Sequence, residues 1–142
     1  MKILVAVDGS KFALHAVQYA ADLVAQLQPG QHNITLVSVH DDIGLGHAKA
    51  FVGKEAVAEY LRDISDKELK PARDLLDAAG VQHDMVERTG HVAQEILDCA
   101  HQGKFDLLVL GSKGRGAIAD LLIGSVARRV LSGAQQPVLL VK

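Results

Sequence analysis

Short apolar runs alternate with longer amphipathic segments along this chain. The runs are rich in Val, Leu and Ile and occupy residues 2–8, 33–40, 81–88, 105–110 and 137–142. Most of the segments between them place apolar residues at the i, i+3, i+4 spacing of a helix buried on one side. The alternation predicts an α/β fold in which one doubly wound sheet of five parallel strands carries helices on both faces.

Capping and breaking residues mark the ends of the first helix. Ser10 is a good N-cap, and Pro29-Gly30 stops the apolar periodicity. A shorter helix is predicted over about 91–102, where Gly103 stops it. Each of these segments has an apolar face wide enough to cover a sheet.

The middle of the chain holds a long helical pattern and a segment without one. Residues 41–54 contain three glycines and no clean period, which predicts a loop. The helical pattern then runs from Glu55 to Ala79. Pro71 predicts a kink or break near Lys67–Lys70, because proline removes one intrahelical hydrogen bond and clashes one turn back.

Composition and charge narrow the function classes. The chain has 142 residues, a formal net charge of −2 and 4% aromatic residues, which does not suit a nucleic-acid partner. Its apolar runs are far shorter than the ~20 residues of a membrane span, and no secretory pattern follows Met1. The single cysteine, Cys99, fits a reducing compartment and a packed core position. We expect one domain over 1–142, in the cytoplasm, with no membrane partner.

A glycine-rich segment follows the fourth apolar run. Gly111 ends that run, Gly114 follows, and Gly124-Ser125 opens the last helical segment. Glycine permits positive φ and close approach of a ligand, while the free N–H groups and dipole of a helix N-terminus favour an anion. The charged residues from 111 to 129 are Lys113, Arg115, Arg128 and Arg129 against Asp120. The segment therefore suits a polyphosphate.

The G-x2-G-x9-G-[ST] spacing resembles the nucleotide-binding motif of the universal stress protein family. Ile3–Ser10 resembles the family's first strand and turn, Ile34–His40 its second strand, and Gly90–Ile96 the loop and helix after its third strand. The resemblance covers nearly the whole chain and is weakest from 41 to about 54. It implies a flavodoxin-like or adenine-nucleotide-hydrolase-like sandwich with four or five helices and strand order 3-2-1-4-5, an order that periodicity alone does not determine.

In that order the chain reverses direction between the first and fourth strands, and a crevice opens at their carboxyl ends. The resemblance implies that Asp8 binds ribose hydroxyls and that Val39 borders the adenine. Each residue also has a simpler interpretation: Asp8 as a turn former, Val39 as core, the glycines as a flexible loop, and Ser125 as an N-cap. The predicted binding set is Ala6, Val7, Asp8, Val39, Leu110, Gly111, Gly114, Arg115, Gly124, Ser125 and Val126.

The sequence contains no recognisable motif for a metal site or for a cysteine nucleophile. The seven histidines lack metal-ligand spacing, although His40 falls at the mouth of the crevice, and no base is placed beside Cys99. The resemblance implies a regulator of the stress response that binds ATP with Mg²⁺ and turns it over very slowly or not at all. Two alternatives stay open: a slow ATPase or autokinase using the same site, and an interaction protein whose site is vestigial.

The final strand predicts an assembly. In order 3-2-1-4-5 it is an edge, and Val138–Val141 gives it an apolar centre that Pro137 and Lys142 do not protect. Two copies could pair through residues 137–142 in one isologous contact. We therefore expect a homodimer, which the resemblance also implies; the alternative is a monomer whose last strand is covered by its own helices.

Overall fold

The computed structural model describes residues 1–42, 45–116 and 118–142. One parallel sheet with strand order β3-β2-β1-β4-β5 forms its centre, which confirms the predicted order. Both edge strands, β3 and β5, are more exposed than the three strands between them. The strands are β1 (Lys2–Ala6), β2 (Asn33–His40), β3 (His83–Thr89), β4 (Leu107–Gly111) and β5 (Val138–Val141).

Helices cover both faces of this sheet, as the alternating pattern predicts. The helices of the described residues are α1 (Lys11–Gln26), α2 (Gly46–Val52), α3 (Lys54–Ala78), α4 (Val92–Gln102) and α5 (Ser125–Gly133). Helices α1 and α3 enclose one hydrophobic core, which includes Ile3 and Val5. Helices α4 and α5 enclose a second core, which includes Leu4 and Leu108. Alternate residues of β1 point to opposite faces, so this strand is buried on both sides.

The pairing of β1 with β4 ends earlier than its pairing with β2, at the point where the strand order reverses. Pairing with β4 runs from Ile3↔Leu107 to Val5↔Val109, whereas pairing with β2 continues to Ala6↔Val37. Val7 extends the β2 side further, because its N–H donates to the Val37 carbonyl at 2.8 Å. Strands β1 and β4 therefore separate at their carboxyl ends, which leaves room for a crevice between them.

Helix α1 begins where the sequence predicts. The Ser10 side chain accepts a hydrogen bond from the Ala13 N–H at 3.1 Å and has the extended backbone of an N-cap. The buried residues of the helix are Ala13, Ala16, Val17, Ala20 and Ala21. Since most of these are alanines, α1 packs close to the sheet.

The prediction of a loop over 41–54 is wrong for its second half, which contains α2. Residues 43 and 44 of that segment lie outside the described residues. Gly46 and Gly53 lie at the ends of α2, and Gly53, with φ +88°, joins it to α3. Helix α2 has no buried residue, and Phe51 is 90% exposed. Because a helix that covers no core needs no apolar face, its sequence lacks the period by which helices are predicted.

Of the kink or break predicted near Lys67–Lys70, the break is wrong, because α3 runs through Pro71 without interruption. The kink stays a prediction. Pro71 is exposed. Water can therefore reach the carbonyl that proline leaves without a donor one turn earlier. The buried face of the helix, which includes Leu69, Ala72 and Leu76, continues across the proline. Packing of this face against the sheet outweighs the local preference.

Candidate functional site

A cavity of about 440 Å³ opens at the carboxyl ends of β1 and β4. This volume is in the range of cavities that hold small ligands. Its lining contains all eleven residues that the sequence singles out for binding: Ala6, Val7, Asp8, Val39, Leu110, Gly111, Gly114, Arg115, Gly124, Ser125 and Val126. The structure thus brings the predicted set together, while contact of these residues with a ligand stays a prediction.

Much of the cavity lining is apolar. Val7 and Val39 come from the ends of β1 and β2, and Val92 and Ile96 project from α4. Ile96 is buried in the core of this face. Sequence reasoning did not include the α4 residues in the site, although their helical spacing marked them as inward. Such a surface accommodates a flat apolar ring and excludes water from it.

Asp8 takes part in both the turn and the cavity. Its Oδ1 accepts a hydrogen bond from the Ser10 N–H at 2.9 Å, so the turn-forming interpretation is confirmed. Its Oδ2 faces the glycine-rich segment, where a Cβ built on Gly114 would lie 2.8 Å from it. One carboxylate therefore joins the start of α1 to the opposite wall of the cavity.

The glycines of the motif serve close approach and not left-handed backbone. Among the described residues, the glycines with positive φ are Gly9, Gly53, Gly80 and Gly90. Gly111 and Gly114 therefore do not use the positive φ that glycine permits. A Cβ on Gly111 would lie 2.8 Å from the Phe12 backbone, so this glycine is needed where β4 passes under α1. Gly114 is needed because Asp8 lies against it.

The N-terminus of α5 contributes backbone polar groups to the cavity lining. Gly124 is its N-cap, and no side chain caps the helix. The Gly124 N–H donates to the Ser112 carbonyl at 2.7 Å, and Ser112 N–H donates to the Val141 carbonyl at 2.7 Å, so the sheet fixes this helix end. Ser125 and Val126 follow in the first turn and line the cavity. Their unpartnered N–H groups and the helix dipole favour an anion here.

The two basic residues of the glycine-rich segment have protein partners. Lys113 Nζ lies 6.0 Å from the centre of the Phe12 ring. Arg115 forms an ion pair with Glu68 of α3, and its guanidinium crosses above Gly9 to reach it. Glu68 is outside the cavity lining. The segment is therefore attached to the opposite side of the sheet from α4 and α5.

Glu68 lies in a polar cluster that sequence reasoning missed. Among the described residues it is the only charged side chain that is buried. His40 Nε2 lies 3.2 Å from Glu68 Oε2, and Ser38 Oγ lies 3.4 Å from the same oxygen and 3.3 Å from Ser65 Oγ. Burial raises the pKa of Glu68, while His40 and Arg115 oppose that shift. The available signal was an acidic residue on the apolar face of a long helix.

The remaining candidates have structural roles. Cys99 is 4% exposed and packs in the core of α4 and α5. Burial raises the pKa of its thiol, which lowers its reactivity. Within residues 1–42, 45–116 and 118–142, no three His, Cys, Asp or Glu side chains group as a metal site would require. In the same ranges, no helix has the length and apolar character to cross a membrane.

Fold and cavity together define an α/β protein with a ligand-sized site where its parallel sheet reverses direction. The model of the universal stress protein family matches residues 1–142. A universal stress protein of Methanocaldococcus jannaschii is 31% identical over 141 residues, covering 99% of this chain and 81% of the relative. The chain belongs to the universal stress protein family.

Solved structures agree with this assignment. A universal stress protein from Lactobacillus plantarum has a TM-score of 0.75 and 24% identity, and the match covers 100% of this chain and 97% of that one. A universal stress protein solved in complex with cAMP has a TM-score of 0.73 and 26% identity, with the same coverage of 100% and 97%. The first similarity supports the fold, and the second concerns a family member that holds an adenine nucleotide.

Proposed function

We propose that this protein binds an adenine nucleotide in the cavity between β1, β4, α4 and α5, and that ATP is its ligand. The observation that carries the proposal is that one cavity is lined both by apolar side chains and by a helix N-terminus without a side-chain cap. An adenine ring suits the first and a phosphate group suits the second. The related structure with cAMP supports the choice of an adenine nucleotide.

Asp8 is the residue that fits the ribose and an accompanying Mg²⁺. It is the one carboxylate in the cavity lining that the described residues provide, and its Oδ2 faces Gly114. Mg²⁺ commonly binds through one or two carboxylates together with phosphates and water. The ion would neutralise phosphate charge. Asp8 would hold it or accept hydrogen bonds from the ribose, while the first turn of α5 binds phosphate through N–H groups.

The proposed role is regulatory binding with little turnover. Phosphoryl transfer needs a residue that orients the nucleophile and groups that stabilise the transferred phosphoryl. Here Asp8 already accepts a hydrogen bond from Ser10, and Arg115 is paired with Glu68. Phosphate release from Mg²⁺-ATP by purified protein should stay far below the ~1–10³ s⁻¹ of ordinary enzymes. A rate in that range that Asp8→Ala abolishes would favour the slow-ATPase alternative.

The proposal also includes a homodimer and a cytoplasmic location. Two copies would join through β5, whose outer edge is free of further strand pairing among the described residues. The buried thiol Cys99 suits the reducing environment of the cytoplasm. A nucleotide-dependent change at α5 would lie close to this dimer contact, because Ser112 joins both Val141 and Gly124.

The binding site is tested by placing a negative charge at the phosphate end. Ser125 is exposed in the first turn of α5, so Ser125→Glu should leave the fold intact, since acidic residues stabilise helix N-termini. Repulsion of phosphate should weaken ATP binding at least tenfold, about 1.4 kcal/mol. Ser132→Glu is the matched control, because it adds the same charge to an exposed position near the other end of the helix.

Isothermal titration of both variants and the wild-type protein with ATP gives the result. The proposal requires measurable binding by the wild-type protein, strong weakening by Ser125→Glu and a change below about twofold by Ser132→Glu. Equal affinity in all three proteins would place the nucleotide elsewhere. Lack of binding by the wild-type protein would support the vestigial-site alternative.

A further inference from the structure

We propose that Glu68 is a positioning residue for the nucleotide site: it anchors the glycine-rich segment through Arg115 and thereby sets nucleotide affinity. The inference rests on the proposed function for its effect on affinity. Its structural part, the ordering of residues 112–116 by Glu68, stands without any ligand. Glu68 lies on α3, outside the cavity, so it acts on a nucleotide only through another residue.

The ion pair between Arg115 and Glu68 joins an exposed side chain to a buried one and passes over a glycine. The side chain of Glu68 is 4% exposed, whereas that of Arg115 is 58% exposed. Both side chains lie against Gly9 in the β1–α1 turn. A Cβ on Gly9 would lie 2.7 Å from Arg115 Nη2 and 2.9 Å from Glu68 Cγ. A glycine at this position, with φ +80°, leaves the passage through which the guanidinium reaches the carboxylate.

The segment that Arg115 belongs to has few other attachments. Residues 112–116 form neither helix nor strand. Ser112 is held by Val141 and Gly124, Lys113 lies near the Phe12 ring, and Gly114 lies against Asp8. A Cβ on Gly116 would meet nothing within 4 Å among the described residues. The ion pair attaches the segment beyond Gly114. Without it, binding a nucleotide would require ordering this stretch, which lowers affinity.

The surroundings of Glu68 make the anchor dependent on pH. The charged and titratable groups that face it are His40 from β2, Arg115 from the glycine-rich segment and Asp8 from the end of β1. His40 also faces Glu87 on β3, where it opposes the rise that burial causes in the pKa of that carboxyl group. Burial raises the pKa of Glu68, so its charge is lost at a higher pH than that of an ordinary glutamate. Protonation removes the ion pair and should release Arg115.

The test compares Glu68→Gln with Glu59→Gln, an exposed position on the same helix. Glu68→Gln should weaken ATP binding three- to tenfold, whereas Glu59→Gln should leave it unchanged. Arg115→Gln should produce a similar loss, and adding Glu68→Gln to Arg115→Gln should cost nothing further, because both changes break the same contact. Undiminished or tighter binding by Glu68→Gln, or independent losses in the double variant, would overturn the inference.

Two further readouts separate this role from a merely structural one. The ratio of wild-type to Glu68→Gln affinity should approach one as pH falls through the pKa of Glu68. Because ATP titrates equally in both measurements, its own protonation cancels in this ratio. In ligand-free protein, hydrogen exchange of residues 112–116 should be faster in Glu68→Gln than in Glu59→Gln. A wild-type protein that binds no ATP refutes the proposed function, and exchange then decides the anchoring alone: unchanged exchange refutes it.

Discussion

The carboxylate of Asp8 and the α-carbon of Gly114 lie so close that a side chain at 114 would meet Oδ2 at 2.8 Å. The contact joins the β1–α1 turn to the glycine-rich segment across the mouth of the cavity. Asp8 cannot move freely to relieve it, because its Oδ1 is held by the Ser10 N–H. The spacing between these two walls therefore depends on the absence of a Cβ at one position.

Gly114→Ala should lower ATP affinity about tenfold, close to 1.4 kcal/mol, because the carboxylate and the segment must both shift. Gly46→Ala is the control, since Gly46 is exposed and outside the cavity lining, and a methyl group there meets none of the described residues within 4 Å. Isothermal titration of the two folded variants gives the comparison. Equal affinities would mean that contact between Asp8 and Gly114 does not shape the site.

Gly111→Ala should act on stability. Its Cβ would lie 2.8 Å from the Phe12 carbonyl carbon and 2.9 Å from its oxygen, which are backbone atoms that cannot rotate away. Overpacking of this kind costs about 1–3 kcal/mol of the free energy of unfolding. Urea denaturation should show a lower midpoint with an unchanged slope. A midpoint equal to that of Gly46→Ala would show that β4 and α1 separate easily.

Ionisation of Glu68 should lower the free energy of unfolding as pH rises. Its pKa in the folded protein lies above the ordinary value of 4.5, so the folded state binds this proton more tightly than the unfolded chain does. The free energy of unfolding therefore decreases between the unfolded and the folded pKa, and the contribution is constant above both. Urea denaturation at several pH values should show this decrease in the wild-type protein and in Glu59→Gln. Its persistence in Glu68→Gln would assign it to another group.

Leu140→Pro should convert the proposed dimer into a monomer. Pro137 and Val141 accept hydrogen bonds from Leu108 and Ser112 of the β4 side. Since alternate residues of a strand point their backbone groups to opposite sides, those of Leu140 face the free edge. Proline there removes an outward donor and keeps the pairing with β4. Sedimentation equilibrium at micromolar concentration checks this, with cooperative melting as the control for folding. A dimer that persists would place the interface elsewhere.

The order of elements and most of the site could be predicted because their signals are local. Apolar runs and helical periods reported which faces are buried, and the spacing from Gly111 to Ser125 reported the segment between β4 and α5. Helix α2 escaped prediction because it buries no residue, and the break expected at Pro71 failed because packing of α3 outweighed a local preference.

By itself, the sequence determined the alternation of strands and helices, the N-cap at Ser10 and the glycine spacing of the segment from Gly111 to Ser125. Only the tertiary structure decided that Gly111 is needed by Phe12, and that Arg115 is paired with Glu68. Those relationships join residues far apart in the chain. They depend on how the sheet brings α1 and α3 to the glycine-rich segment, and neither periodicity nor motif spacing records distances between separate elements.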